Sequence, residues 1–296
     1  MKAIRTLGIF SAAVLGTVSL AACSTDGAGQ SGNAQKVSLV SANGWEEGTA
    51  VSELWKAVLE DKGYEVELTF LDAGPLYQGL ADGDFDVFLD AWLPVTHEDY
   101  VDRYGDSLTY LGPWNDEASL TIAVNEDAPI DSLEELAENA GLFSNQIIGI
   151  ESGAGLTSIT QDAVIPGYGL ENMDFVVSST PAMLAELKAA TDAGDNVVVT
   201  LWRPHWAYDA FPVKDLQDPQ GLLGAAETMG VIANNSFVET HPEVTAWLEN
   251  FEMSSQQLYS LENALFNENS DPSKYTEITR KWMDDNPEYI ASLTAS

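Results

Sequence analysis

Short apolar runs alternate along this chain with segments whose apolar residues recur every three or four positions. Residues 37–40 (VSLV) are consistent with a buried parallel strand, and Asn43-Gly44-Trp45 makes the turn that follows. Val51, Leu54, Trp55, Val58 and Leu59 then fall at i, i+3, i+4, i+7 and i+8, which is one apolar face of a helix ending at Lys62-Gly63. A strand is predicted at about 66–70, a helix at 76–81 after Gly74-Pro75, and an apolar strand at 85–89. The alternation recurs further on: 147–150 (IIGI) as strand, 151–155 as a tight turn, and about 156–165 as helix. Ser179-Thr180-Pro181 opens another helix, with proline suited to its first position, and 196–201 (NVVVTL) is the next strand. Strands alternating with helices predict an α/β fold with a largely parallel sheet. Extended segments at 120–124 and about 229–233 are the candidates to carry the chain between two lobes. No sequence repeat at a fixed period is visible, which argues against a solenoid.

The first residues bear on compartment. Lys2 and Arg5 form a basic start, an apolar stretch runs over about 7–20, and it ends in Leu20-Ala21-Ala22-Cys23. A stretch this short, with small residues before its end, reads as a secretory signal and not as a transmembrane span. Leu-Ala-Ala-Cys is similar to the lipobox of bacterial lipoproteins, which implies a signal peptide over 1–22, cleavage before Cys23 and lipid on its thiol. Residues 24–34 (STDGAGQSGNA) are small and polar and read as a flexible tether, so the lipidated cysteine and tether cover 23–35. Cys23 is the sole cysteine, which excludes an intramolecular disulfide and leaves stability to a hydrophobic core.

Charge narrows the partners. There are 12 Lys+Arg against 47 Asp+Glu, and loss of Lys2 and Arg5 would take the formal charge from −35 to −37. Nucleic acid is excluded as an expected partner, because phosphate binding needs a basic face. Two readings of the acidity stay open: adaptation to a saline environment, where screening makes such a surface tolerable, or a generic solvated surface.

The aromatic residues carry the candidate chemistry. Of eight tryptophans, Trp45 follows the first strand, Trp92 follows the strand at 85–89, and Trp202 follows the strand at 196–201. In an open α/β sheet, ligands bind beyond the carboxyl ends of strands. An indole face attracts a cation with about 0.5–2 kcal/mol per desolvated contact. A trimethylammonium group has no N–H to donate, so several π-faces are a natural receptor for it. Trp55, on the apolar helix face, reads as core, and Trp206 could line the rim.

Several segments, read in order, resemble one family. They are Asn43-Gly44-Trp45-Glu46-Glu47, Asp72-Ala73-Gly74-Pro75-Leu76-Tyr77, the run DVFLDAWLP at 86–94, GIESGAG at 149–155, and LWRPHW at 201–206. The family is the glycine betaine- and choline-binding proteins of osmoprotectant ABC importers. The resemblance implies a two-lobed periplasmic-binding-protein fold of type II, each lobe a mixed, mainly parallel sheet flanked by helices. Lobe I is then expected over 36–124 plus 228–296 and lobe II over 125–227. Trp45, Trp92 and Trp202 carry over as cage residues. A ligand carboxylate would need donors, and three places offer them: the amides of Glu46 and Glu47 at a helix start, the Gly153-Ala154-Gly155 turn, and His205. The resemblance also implies that an acidic side chain near Glu46 and Glu47 can accept the hydroxyl in choline-binding relatives. They also place an aromatic at about Leu120 and a polar residue at about Ala154, where this chain departs from them.

An enzyme is not expected. His97, His205 and His241 are far apart in sequence, with no His-x-x-x-His pair, no cysteine cluster, no Gly-x-Ser-x-Gly elbow and no Walker motif. No cofactor and no metal are expected. The expected partners are a small quaternary ammonium solute (glycine betaine first, choline or carnitine as the alternative), an ABC permease, and the membrane through the N-terminal lipid. The expected state is a monomer on the extracytoplasmic face of a bacterial cell membrane.

Overall fold

In the computed structural model of the chain, residues 35–269 and 271–295 are described. The expected signal peptide, the tether and lipidation at Cys23 lie outside those residues. Nine strands form one sheet: β1 (Lys36–Ala42), β2 (Glu65–Leu71), β3 (Val87–Leu93), β4 (Leu108–Asn125), β5 (Gln146–Ile148), β6 (Asp174–Val176), β7 (Val198–Arg203), β8 (Val213–Asp215) and β9 (Glu227–Asn234). Their order is β2-β1-β3-β9-β4-β7-β5-β6, with β8 paired to β4. The groups β2-β1-β3 and β6-β5-β7 are each parallel, whereas β9 and β4 run antiparallel to their neighbours. The architecture is thus the expected mixed α/β one, with helices covering the sheet. β4 joins the two halves: residues 108–118 pair with β9, and residues 119–125 pair with β7 and β8.

Helix α1 (Glu46–Asp61) is buried from Glu47 to Leu59 on nearly every side. Its predicted apolar face lies in the core, and the helices Ser255–Glu262 and Tyr275–Asp285 cover its other flank. Arg280 clasps its far end, donating to Glu60 at 2.7 Å and Asp61 at 2.8 Å. Helix α2 (Ala73–Asp82) stops at Gly83, whose φ of +81° is the left-handed conformation that glycine tolerates.

Three expectations need correction. Trp92 and Trp202 do not lie beyond their strands but are the penultimate residues of β3 and β7. Both strands start later and run further than their apolar runs indicate, and each gives way to a proline, Pro94 or Pro204, that has no N–H for the ladder. The helix predicted over 156–165 is interrupted as well. It runs as α-helix over Gly155–Ile159, widens to a π turn over Thr160–Val164, and resumes over Ile165–Gly167, where Pro166 removes a backbone donor.

Trp55 is fully buried, edge-on to Phe251 with ring centroids 5.3 Å apart, which is the core role its helix face predicts. Trp55→Ala should cost about 3–5 kcal/mol of folding stability, read as a lower urea midpoint. A loss below about 1 kcal/mol would mean that the core closes over the gap.

Candidate functional site

The site begins with a turn that requires glycine. Gly44 has φ +81°, and a Cβ there would lie 2.9 Å from the Thr180 Cβ, so both backbone conformation and space exclude a side chain. Trp45 caps α1, its carbonyl accepting from the Thr49 amide at 2.9 Å. The first-turn amides of Glu46 and Glu47 have no partner within the helix. The Trp45 indole donates to Glu151 Oε1 at 2.6 Å, and its ring stacks on His97 with centroids 5.1 Å apart and planes 8° from parallel.

A bulge positions the second tryptophan. Against β9, β3 carries one extra residue between Phe88 and Ala91. Trp114 Nε1 donates to the Leu89 carbonyl in this stretch at 2.6 Å, and Asp90 Oδ1 accepts from Trp92 Nε1 at 2.8 Å. The chain then loops back on itself. The Trp92 amide donates to His97 Nδ1 at 2.9 Å, and the His97 amide donates to the Trp92 carbonyl at 3.0 Å. Glu227 on β9 holds the loop by accepting from the amides of Val95 and Thr96 and from the Thr96 hydroxyl. Burial pushes His97 down to about 3, so its ring is neutral with the proton on Nε2.

The third tryptophan comes from β7, opposite Leu120 of β4. The Trp202 indole N–H is buried without a hydrogen-bond partner among the described residues. His205 meets it edge-on, with centroids 4.7 Å apart. His205 Nδ1 accepts from the Ala207 amide at 3.0 Å, which leaves Nε2 facing Glu46 Oε2 at 3.3 Å. The turn before the helix Gly155–Ile159 packs against the loop after β3. A Cβ at Gly155 would lie 2.1 Å from the Thr96 carbonyl oxygen, and the Tyr100 hydroxyl donates to the Gly153 carbonyl at 2.9 Å.

These elements line one pocket. Trp45, Trp92 and Trp202 line it together with Glu47, Ala154 and Gly155. Thr96, His97, Leu120, Ile150 and Leu156 complete its walls. Of the residues singled out from sequence, Glu46, Gly153 and His205 are not in the lining: Glu46 and His205 face each other, and Gly153 faces Tyr100. His97 was legible only as one of three scattered histidines. Its value as a wall comes from a five-residue loop closure that spacing alone does not announce.

The electrostatics beneath the tryptophans are unusual. Glu47 is 2% exposed, and its Oε2 has no hydrogen-bond partner among the described residues. Burial, with Asp90, Glu262 and Glu46 adding to it, holds the Glu47 carboxyl well above the usual carboxylate range. Burial raises Asp90 in the same way, against the Trp92 hydrogen bond. Glu262, on the helix Ser255–Glu262, is raised by burial and then by Glu46 and Asp90. Among the described residues, no lysine or arginine is one of the groups acting on these three. Such a set either holds protons or receives a cation. Among the described residues, no group of three or more His, Cys, Asp or Glu side chains is arranged to hold a metal ion, and no helix is long and apolar enough to cross a membrane.

Comparison with known proteins matches residues 35–285 to the family described as the substrate binding domain of ABC-type glycine betaine transport system. The glycine betaine/carnitine transport binding protein GbuC of Listeria monocytogenes serotype 1/2a (strain 10403S) is 33% identical over 169 residues, 56% of this chain. That match spans about half the relative's length, 54%. Lactococcal OpuAC, in its closed-liganded conformation complexed with glycine betaine, superimposes with a TM-score of 0.81 at 27% identity, covering 88% of this chain and 100% of that one. The glycine betaine/L-proline-binding protein ProX from Borrelia burgdorferi gives 0.82 at 26% identity, covering 88% and 97%. An ABC-transporter choline binding protein in complex with choline gives 0.80 at 25%, covering 87% and 91%.

Glu47, Asp90 and Glu262 bind more protons folded than unfolded. Their contribution to stability is therefore full below the ordinary carboxylate range and declines as pH rises through their raised titrations. Glu262→Gln should raise the thermal midpoint at about pH 8 by about 2–4 °C, the shift expected for about 1 kcal/mol in a chain of this size. It should also flatten the fall in midpoint with pH, followed by circular dichroism. An unchanged slope would count against this electrostatic account.

Proposed function

The chain belongs to the family of substrate-binding domains of ABC-type glycine betaine transport systems, and from that premise we propose that it captures glycine betaine in a tryptophan cage and delivers it to a membrane permease. The observation that carries this reading is that Trp45, Trp92 and Trp202, arriving from three separate strands, line one cavity. Each indole face offers a methylated ammonium about 0.5–2 kcal/mol once water is removed, and together they replace the hydration that the cation loses. Metal ligation and covalent chemistry are not needed for this task, and the family is one of transport proteins.

The carboxylate of the ligand would be met by the first-turn amides of α1 at Glu46 and Glu47 and by the amide of Gly155, where the helix dipoles favour negative charge. His205 is better read as holding Glu46, because its Nδ1 is taken by the Ala207 amide and its Nε2 faces that carboxylate. Glu46 is thereby turned from the ligand, which removes one of two acidic side chains from beside the carboxylate.

The mechanism is capture between lobes, with 36–124 plus 228–296 as one and 125–227 as the other. The change of strand partners at Ala118–Ser119 within β4 supports a crossover slightly earlier than 124. The Trp45–Glu151 and Tyr100–Gly153 hydrogen bonds then join the two lobes in the closed form. Ligand shifts the equilibrium towards that form, which docks on the permease, and the transport energy comes from the partner's ATPase. Cleavage before Cys23 and lipid on its thiol would tether the protein at the extracytoplasmic face. That the superimposed lactococcal protein is a closed complex with glycine betaine supports this ligand.

Choline is the second reading, and Glu47 is the observation that favours it, since an ionised carboxylate in the wall suits a monocation bearing a hydroxyl. The aliphatic Leu120 and Ala154 in the same wall favour betaine. Trp202→Ala should weaken glycine betaine binding by about tenfold or more, about 1.4 kcal/mol, by titration calorimetry. Unchanged affinity would remove the cage from the proposal.

A further inference from the structure

Glu47 is the one ionisable carboxyl group in the cavity wall, and it sits among other acids. The acids that act on it come from three elements. α1 supplies Glu46, β3 supplies Asp90, and the helix Ser255–Glu262 supplies Glu262. The loop after β7 supplies His205, which faces Glu46, and α2 supplies Tyr77, whose buried hydroxyl feels Asp90. The loop after β3 supplies His97, a neutral ring in the same wall. None of these is a lysine or arginine. Glu47 Oε2 is buried and has no hydrogen-bond partner among the described residues.

We propose that the protonation of Glu47 decides which chemical class of methylated ammonium the site accepts: zwitterions carrying a carboxylate when Glu47 is neutral, and hydroxyl-bearing monocations when it is ionised. The inference rests on the cage reading above and adds a selectivity rule to it. A monocation brings one uncompensated positive charge into a cavity from which water has been removed. An ionised Glu47 balances that charge, and its free oxygen accepts the ligand hydroxyl. A zwitterion brings its own carboxylate. Beside an ionised Glu47 that carboxylate is repelled, whereas a neutral Glu47 has an O–H that donates to it.

The proton balance follows from linkage. Monocation binding to the neutral form releases the Glu47 proton to solvent, so its affinity rises with pH while that group titrates. Zwitterion binding to the ionised form takes one proton up, so its affinity falls over the same range. Each effect is limited to about tenfold per pH unit for one exchanged proton. The ratio of choline to glycine betaine affinity therefore climbs with pH above the ordinary carboxylate range.

The test is titration calorimetry of the protein with glycine betaine and with choline at about pH 5.5 and about pH 8.5, in two buffers of different ionisation enthalpy. The expected result is a choline-to-betaine affinity ratio that rises by about tenfold or more, with proton release on choline binding seen as a buffer-dependent heat. Glu47→Gln, which keeps the shape and removes the titration, should hold the ratio near its low-pH value at both pH values. A ratio constant to within about twofold in the wild-type protein, or a Glu47→Gln protein that keeps the wild-type pH dependence, would overturn the proposal. The wild-type heats carry the test even if the variant fails to fold. Failure of both ligands to bind at either pH would instead overturn the cage reading on which the proposal rests.

Discussion

A buried carboxyl group with no basic neighbour has two stable conditions: it keeps its proton, or it shares its enclosure with a cation. Glu47, Asp90 and Glu262 are in that position, and Glu47 stands in the same pocket wall as Trp45, Trp92 and Trp202. The indoles and the buried acids are adjoining layers, joined where Asp90 accepts from the Trp92 indole. Burial raises all three carboxyls, so they hold their protons unless a cation arrives. The same low local dielectric that makes their ionisation costly strengthens any electrostatic contact made beside them.

The sheet positions both layers through irregularities in its ladder. β9 is the regular strand, and its neighbours carry the extra residues, one in β3 and three register shifts along β4. The β3 bulge presents Asp90 and Trp92 close enough for a side-chain hydrogen bond, and Trp114 satisfies the carbonyl at Leu89. His97 then seals the strand end by accepting from the Trp92 amide. A single-residue irregularity thus becomes a fixed geometry, because each backbone group in the bulged stretch that the hydrogen bonds describe has a named partner.

Much of this was legible in the chain, and what was not has identifiable causes. The apolar spacing of Val51, Leu54, Trp55, Val58 and Leu59 locates α1, and the alternation of apolar runs gives an α/β fold with the strands close to where they lie. Trp45 could be read beyond the first strand because Asn43-Gly44 marks the turn. Trp92 and Trp202 were read one strand-end too far out, because hydropathy does not show that a strand continues through a bulge or up to a proline. Asp90 and Glu262 could not be paired from sequence. They are far apart along a chain with 47 acidic residues, so their meeting is a property of the fold alone. His205 stands out in the sequence, but the direction of its ring does not, because the Ala207 amide decides it and turns Nε2 towards Glu46.

The extra residue in β3 carries one more lesson. Side chains on a strand alternate between faces, but here the ladder absorbs the extra residue locally, and Ala91, Trp92 and Leu93 stay opposite Gly230, Met229 and Thr228. Removing that residue would leave Trp92 on the same face of the sheet while straightening the strand where Asp90 accepts from the Trp92 indole. What the extra residue sets is the local bend of β3, not the side on which its aromatic ring stands.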